Sequence, residues 1–581
     1  MSRLAGLKGA SSLHDLAQVL GYSAKGLAYI IYGVPDGAKY VDFTIPKRSG
    51  GTRTISAPVL ELKRLQKHLA HLIEDCVIES DANRKIINTI SHGFRRKHSI
   101  MTNASRHRKR RYVFNIDLHD FFGAINFGRV WRYFEKNRDF SINSDVAKTI
   151  AQIACHNRSL PQGSPCSPVI SNLIAHILDI RMMQIASKAK CHYSRYADDL
   201  TFSTNEKNFP SRIAKIKGAT TEWEVGKQLA HEIRRCGFEL NPTKTRMQFK
   251  SHRQDVTGIV VNKKVNVRSE YARTVRAMVN SLVKKGEFTI EKTYRDEKGA
   301  WQMKPQKGTD AKLRGMLSFI DSVRQFEKNK GEKKKGAGEN QPPRIDLQEM
   351  EGASRVYRKF LLYTQFFRPD LPFFICEGKT DNVYIRCALR SLAENFPTLI
   401  EKKDGKCKLN INLFNYSKIA DRILHLGGGT GDMCNFIGSY GNEFKGFHHI
   451  GKRNPIIILV DNDSGATPIF ATIKKVTKSP GAIDGSQELY WIRDNLYVVP
   501  IPKISGKDTP IEKYFDRTVL ERKLGGKVFS GEDKFDASTQ YGKHLFAEHI
   551  VKKDQNIIDF SRFAAILTRM QDVLAVHAAK A

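Results

Sequence analysis

Leu13, Leu16, Ala17 and Leu20 recur at three- and four-residue spacing, so the chain opens on an amphipathic helix, with Ser12 and Asp15 placed to cap it. Up to about residue 325, helical stretches rich in Arg and Lys mix with short apolar runs of strand length. Glu327–Pro343, EKNKGEKKKGAGENQPP, then breaks the pattern. With almost no apolar residue it cannot bury enough surface to offset its ordering entropy, and it reads as a linker or mobile loop. Beyond it, a helix pattern over Arg355–Phe367 leads into alternating elements. Strands are predicted at Phe373–Cys376, Leu409–Leu413, Ile423–Leu426, Ile456–Val460 and Leu496–Ile501, with helices in most of the gaps. That alternation predicts a parallel or mixed α/β sheet. The pattern divides the chain into residues 1–325, a basic linker at 326–345, a connecting helix at 346–370, and an α/β domain with a C-terminal extension at 371–581.

Composition adds a partner class. The 581 residues are too many for one hydrophobic core. Lys and Arg number 96 against 60 Asp and Glu, a formal charge of +36 that favours a polyanion, nucleic acid above all. No run of 18 apolar residues is present to span a bilayer, so no membrane partner is expected. The first residues lack the apolar core of a signal peptide. The nine cysteines form no CxxC pair, which speaks against a zinc ribbon or disulfide framework and fits a cytoplasmic location.

Three segments carry polymerase chemistry. Phe114-Asn-Ile-Asp-Leu-His-Asp-Phe-Phe122 is a strand that delivers Asp117 at its end. Tyr196-Ala-Asp-Asp-Leu200 places Asp198 and Asp199 in a tight hairpin. Carboxylates so close repel unless a cation neutralises them. Mg²⁺ prefers oxygen ligands, and two such ions about 3.5–4 Å apart can stabilise an attacking hydroxyl and a leaving pyrophosphate. The third segment, Leu160-Pro-Gln-Gly-Ser-Pro-Cys-Ser-Pro-Val-Ile-Ser-Asn172, is a Pro/Gly turn into a helix. It offers backbone amides and the Gln162 side chain to a nucleotide.

In this order the segments resemble motifs A, B and C of reverse transcriptases. That resemblance implies a right-hand α+β polymerase of fingers, palm and thumb, using Mg²⁺ or Mn²⁺ at Asp117, Asp198 and Asp199. It further implies dNTP contacts from Lys47 and Arg53 beside Gly50 and Gly51, from Gln162 and Gly163, and from Lys244 in Gly237-Phe-Glu-Leu-Asn-Pro-Thr-Lys244. Phe122 falls where the family keeps an aromatic gate against a ribose 2′-hydroxyl. Asn103-Ala-Ser-Arg-His107 and Val256-Thr-Gly258 resemble the NAxxH and VTG elements of retron reverse transcriptases. They imply RNA recognition by Asn103, His107, Val256, Thr257 and Gly258, with Arg273 and Arg276 of a basic thumb helix, Tyr271–Lys285, on phosphates. The implied partners are a cognate structured non-coding RNA and its covalently linked cDNA, and a homo-oligomer is compatible with them.

Past the linker, Phe373-Phe-Ile-Cys-Glu377 and Ile456-Ile-Ile-Leu-Val-Asp-Asn-Asp463 repeat one arrangement: a buried strand ending on acids. Alternate residues of an extended segment share a face, so Asp461 and Asp463 can point together. With Glu377 they make a metal site at the edge of an open α/β sheet. This resembles a toprim domain of nuclease type, with Glu512 in Ile511-Glu-Lys-Tyr-Phe515 serving a second metal and Gly427–Gly431 lying between the acidic strands. The resemblance implies a nuclease effector for anti-phage defence, acting on cellular or phage nucleic acid. Two other readings stay open: a domain that trims the chain's own cDNA, and an inactive platform that only binds nucleic acid.

Overall fold

The Ser12 hydroxyl accepts from the Asp15 amide at 3.2 Å, and the Asp15 carboxylate accepts from the Ser12 amide at 3.0 Å. The helix they cap, Leu13–Leu20, buries Leu16, Ala17 and Leu20. The computed structural model describes residues 2–47, 51–83, 90–218, 221–296, 301–332, 350–448, 453–532 and 534–580. Its contacts divide the chain into Met1–Tyr271, Glu297–Trp301 and Ser322–Gly336 on one side, and Ala272–Asp296, Gln302–Asp321 and Ala337–Ala581 on the other.

The first unit is built on an antiparallel sheet. Its strands run in the order His192–Tyr196, Asp199–Thr204, Tyr112–His119 and Glu239–Leu240, and Arg246–Phe249 also pairs with the central strand. Val113, Phe114, Ile116 and Leu118 of that central strand are buried. Helices Ser144–Ala154, Ser167–Ile174 and His176–Lys188 share their core. So does Leu60–Asn83, whose Leu62, Leu65, Leu69, Leu72 and Cys76 form one apolar stripe. A hairpin, Tyr40–Pro46 with Thr52–Pro58, carries exposed Val41, Phe43 and Ile45.

The second unit holds a sheet in the order Asn412–Leu413, Phe373–Cys376, Ile456–Val460, Leu496–Pro500 and Tyr490–Arg493. All neighbours are parallel except the last pair. The central strands are fully apolar and buried, as a sheet covered on both faces requires. Two predicted strands differ. Ile423–Leu426 lies at the end of a π-helical turn, Ala420–Leu424, which His425 closes in the left-handed region at φ 61°. A short apolar run looks the same in a buried helical turn as in a strand. Leu409–Leu413 is split: Lys406–Leu409 pairs in a separate hairpin with Ile400–Lys403, and only Asn412–Leu413 joins the sheet.

Where composition suggests a linker from residue 326, the helix Asp310–Glu332 continues, because Lys and Glu are good helix formers even without a core. Residues 333–345 of that predicted linker lie outside the described residues. Most of the basic helix Ser269–Lys285 falls in the second unit. There the Ser318 and Tyr357 hydroxyls meet at 2.7 Å, and Arg368 donates to the Gly286 carbonyl at 3.4 Å. Arg314 stacks over Phe360 at 5.8 Å. Arg422 and Asp321 form an ion pair in which both side chains are buried.

Candidate active sites

Strand register assembles the first site. Tyr112–His119 pairs with Asp199–Thr204 so that Asp117 stands opposite Asp199, and directly opposed residues share a sheet face. Tyr196 pairs with Asp199 across the hairpin, leaving Ala197 and Asp198 as the turn. The Asp198 carbonyl accepts from the Leu118 amide at 3.0 Å, which ties the turn to the central strand. Asp117 is buried, and its two carboxylate oxygens accept from Asn241 Nδ2 at 3.1 Å and Lys244 Nζ at 2.8 Å.

The electrostatics follow from crowding. Burial and then Asp117 push the Asp198 carboxyl above its ordinary range, while Lys244 and Arg53 pull it back. The Asp199 side chain reaches solvent, yet desolvation by the surrounding protein, with Asp198 and Asp117, pushes it to about 7. Burial opposes the Lys244 ammonium, but the bond to Asp117 and the pull of the other two carboxylates outweigh it and raise it. Among the described residues no three acidic, His or Cys groups converge as a ready ligand set. At Asp117 the reason is visible: its oxygens are already taken by Lys244 and Asn241. The donor chemistry still fits a hard divalent ion, since neighbouring carboxylates raise Asp198 and Asp199 and a cation would relieve them.

Other predicted residues surround this cluster. Lys47 is exposed, its amide bonded to the Gly51 carbonyl at 3.0 Å, and Gly50 lies outside the described residues. Arg53 is exposed on the neighbouring strand. The Gln162 carbonyl accepts from the Ser56 amide at 2.8 Å. Gly163, at φ 128°, presses so closely on that strand that a Cβ would stand 2.5 Å from the Ser56 carbonyl oxygen. Phe122 is half-buried, its ring 6.1 Å from Phe94 and 5.5 Å from Phe121.

The second site sits at the C-terminal ends of two adjacent parallel strands. Glu377 follows Phe373–Cys376 and Asp461 follows Ile456–Val460. Glu377 accepts from the Asp461 amide at 3.3 Å and from the Thr430 hydroxyl at 3.2 Å. Asn462 turns inward, donating to the Gly485 and Ile501 carbonyls at 2.9 and 3.0 Å. Glu512 is buried beside Lys543 at 3.2 Å. Burial, then Asp381, Glu377, Glu512 and Asp463, push Asp461 to about 9. Sequence reasoning missed two members. Asp381 lies four residues past Glu377, in the first turn of the next helix, a spacing that was there to be read. Lys543 comes from a distant segment that carries no local signal.

The sequence profile described as "Reverse transcriptase (RNA-dependent DNA polymerase)" matches residues 45–261. The retron Mx162 reverse transcriptase of Myxococcus xanthus is 34% identical over 280 residues, 45% of this chain and 55% of that enzyme. The retron Ec86 reverse transcriptase of Escherichia coli is 30% identical over 321 residues, covering 55% of this chain and 86% of the relative. This chain belongs to the retron reverse transcriptase family. It spans little more than half the length of the Mx162 enzyme, and 65% of the retron Mx65 reverse transcriptase of M. xanthus at 30% identity. Among solved structures, a telomerase from Candida tropicalis aligns over 43% of this chain and 50% of its own, with TM-score 0.28 and 12% identity. Overlap that loose does not by itself define a shared fold.

As a retron-family chain, its two family elements take unexpected positions. Asn103 and His107 are both fully buried. His107 joins the Ser203 and Ser194 hydroxyls at 2.7 Å each, and Ser194 donates to Asn103 at 2.5 Å. The expectation that these two residues touch RNA is therefore corrected: they brace the helix Ile100–Ser105 against the carboxylate hairpin. Val256 is also fully buried and cannot read RNA directly. Gly258, at φ 79°, is exposed, while Thr257 is half-buried and bonds the Ile100 carbonyl at 3.3 Å. The structure thus brings the two elements side by side. Arg273 and Arg276 are exposed on their helix.

Proposed function

We propose that the chain is an RNA-directed DNA polymerase that copies a cognate structured RNA, in the cytoplasm, into a branched, RNA-linked single-stranded DNA. The register that sets Asp117 opposite Asp199, with Asp198 the turn residue beside it, carries the reading. Mg²⁺ or Mn²⁺ held by these carboxylates would neutralise charge on the attacking 3′-hydroxyl and the leaving pyrophosphate. To take an ion, Asp117 must give up the Lys244 ammonium, which frees Lys244 to donate toward pyrophosphate. Arg53 and Lys47 supply charge for a dNTP, and Phe122 limits the sugar pocket. Arg273 and Arg276, with the tip at Thr257 and Gly258, are the RNA contacts.

The second half of the reading is a toprim nuclease that serves as an anti-phage effector. Its support is Glu377 and Asp461 at the C-terminal ends of adjacent parallel strands, with Asp381, Asp463 and Glu512 close enough to act on Asp461. Carboxylates whose combined charge raises Asp461 in this way suit Mg²⁺, and Lys543 brings a compensating charge. The DNA product, bound to the polymerase, is the restraint on this activity.

One preparation tests both halves. DNA joined to co-purified RNA is expected with the wild-type chain and lost with Asp198→Asn plus Asp199→Asn; persistence in the double variant overturns the polymerase assignment. After DNase treatment, cleavage of added cellular RNA or DNA should rise. Glu377→Ala should abolish that rise and leave DNA synthesis intact. Cleavage that never rises, or rises equally in Glu377→Ala, refutes the effector assignment.

A further inference from the structure

Arg195 ranks first by volume among the fully buried side chains of the described residues. A guanidinium without water must find protein acceptors for its donors. Nε and Nη2 donate to the Asp179 carboxylate at 2.8 and 2.7 Å, a bidentate pairing that satisfies the charge. Nη2 also reaches the Ser91 hydroxyl at 3.2 Å. The remaining nitrogen points elsewhere: Nη1 donates to Asn172 Oδ1 and to the Ala197 carbonyl, each at 3.1 Å.

Ala197 is the turn residue between Tyr196 and Asp198. Its φ of 55° is a left-handed conformation that a residue with a Cβ adopts only when its surroundings impose it. Those surroundings close on it from a second direction. The segment Ile90–Gly93 lies along Arg195, with the His92 amide donating to the Arg195 carbonyl at 2.8 Å and the Arg195 amide to the Ile90 carbonyl at 2.9 Å. Gly93 then passes so near the turn that a Cβ on it would stand 2.6 Å from the Ala197 nitrogen. Asn172 completes the frame by donating to the Gly93 carbonyl at 2.5 Å.

We propose that Arg195 is a positioning residue of the polymerase: by holding the Ala197 carbonyl beneath the turn, it fixes where Asp198 and Asp199 stand relative to Asp117. It touches no reacting atom and acts only through the turn. The proposal rests on the polymerase reading above.

Arg195→Lys keeps a positive charge for Asp179, but an ammonium lacks the planar fork needed to serve Asp179 and the Ala197 carbonyl together. Per active site, counted by a single-turnover burst, its kcat should fall by on the order of ten- to a hundredfold, the scale of an ångström-sized misplacement. The KM for dNTP and the affinity for primer–template should stay within about twofold, a split that loss of folded protein would not produce. Tyr193→Phe removes a 2.9 Å bond to Asp179 without reaching Ala197, and should keep kcat unchanged. Gly93→Ala pushes on the turn from the other side and should reproduce the kcat loss. A folded Arg195→Lys chain with wild-type kcat per active site overturns the proposal. If that variant does not fold, an unchanged kcat in Gly93→Ala overturns it instead. DNA synthesis surviving in the Asp198 and Asp199 double variant is a separate result, against the polymerase reading itself.

Discussion

Asp117 is held by an ammonium and an amide, whereas Asp198, Asp199 and Asp461 are pushed upward mainly by burial and then by the carboxylates beside each of them. A carboxyl whose folded pKa lies above its unfolded value binds more protons when folded. The stability it contributes is full below the ordinary value of 3.8 and is lost as pH rises toward about 7 for Asp199 and about 9 for Asp461. The metal-free chain should therefore unfold at lower temperature as pH rises across that window. Mg²⁺ should raise the midpoint more at high pH than at low pH, because it replaces protons that are no longer bound. Scanning fluorimetry with EDTA or Mg²⁺ checks this, and a Mg²⁺ shift independent of pH would contradict it. The grouping of Asp117, Asp198 and Asp199 was legible because Asp117 lies near the end of a largely apolar strand and Asp198 and Asp199 sit where a tight hairpin turns. The places of Asn103 and His107 were not. A polar motif reads as surface, and only the tertiary partners Ser194 and Ser203 make its burial affordable.

Between elements, close backbone approach decides more than side-chain pattern. The loop leading into helix Ser167–Ile174 is stitched to strand Thr52–Pro58 through the Gln162 carbonyl, and Gly163 leaves no room for a side chain. Gly163→Ala combines a clash with a strained φ, each costing about 1–3 kcal/mol. The expected outcome is a folded protein whose dNTP KM rises several-fold as the loop moves off the strand. Steady-state kinetics on a synthetic primer–template measures it, and an unchanged KM would show that the contact is incidental. The sequence signals turn and helix here through Pro161, Gly163 and Pro168, but the contact with a strand a hundred residues earlier has no local signature. The same limit explains Ile423–Leu426, where four residues cannot separate a buried helical turn from a strand. The strands Phe373–Cys376 and Ile456–Val460 were legible because both faces are buried and the whole run is apolar.

Across the whole chain, the compositional break and the packing break do not coincide. Helices from the 272–321 region contribute Ser318, Arg314 and Asp321 to the same unit as the C-terminal sheet. A fragment starting at residue 346 would leave Arg422 buried without Asp321, a loss of about 3–5 kcal/mol, and would uncover the apolar face around Tyr357 and Phe360. It should aggregate or elute as a broad species in size-exclusion chromatography, whereas a fragment starting near residue 268 should run as a folded particle. A compact, cooperatively melting 346–581 fragment would contradict this. The low-complexity stretch marks where the chain stops reading as core, not where the second folding unit begins. A gene shuffled at the lysine-rich stretch would hand its recipient an unfinished core, so the two halves of the chain should be inherited together, and lineages that exchange the C-terminal partner should carry the crossover ahead of residue 272.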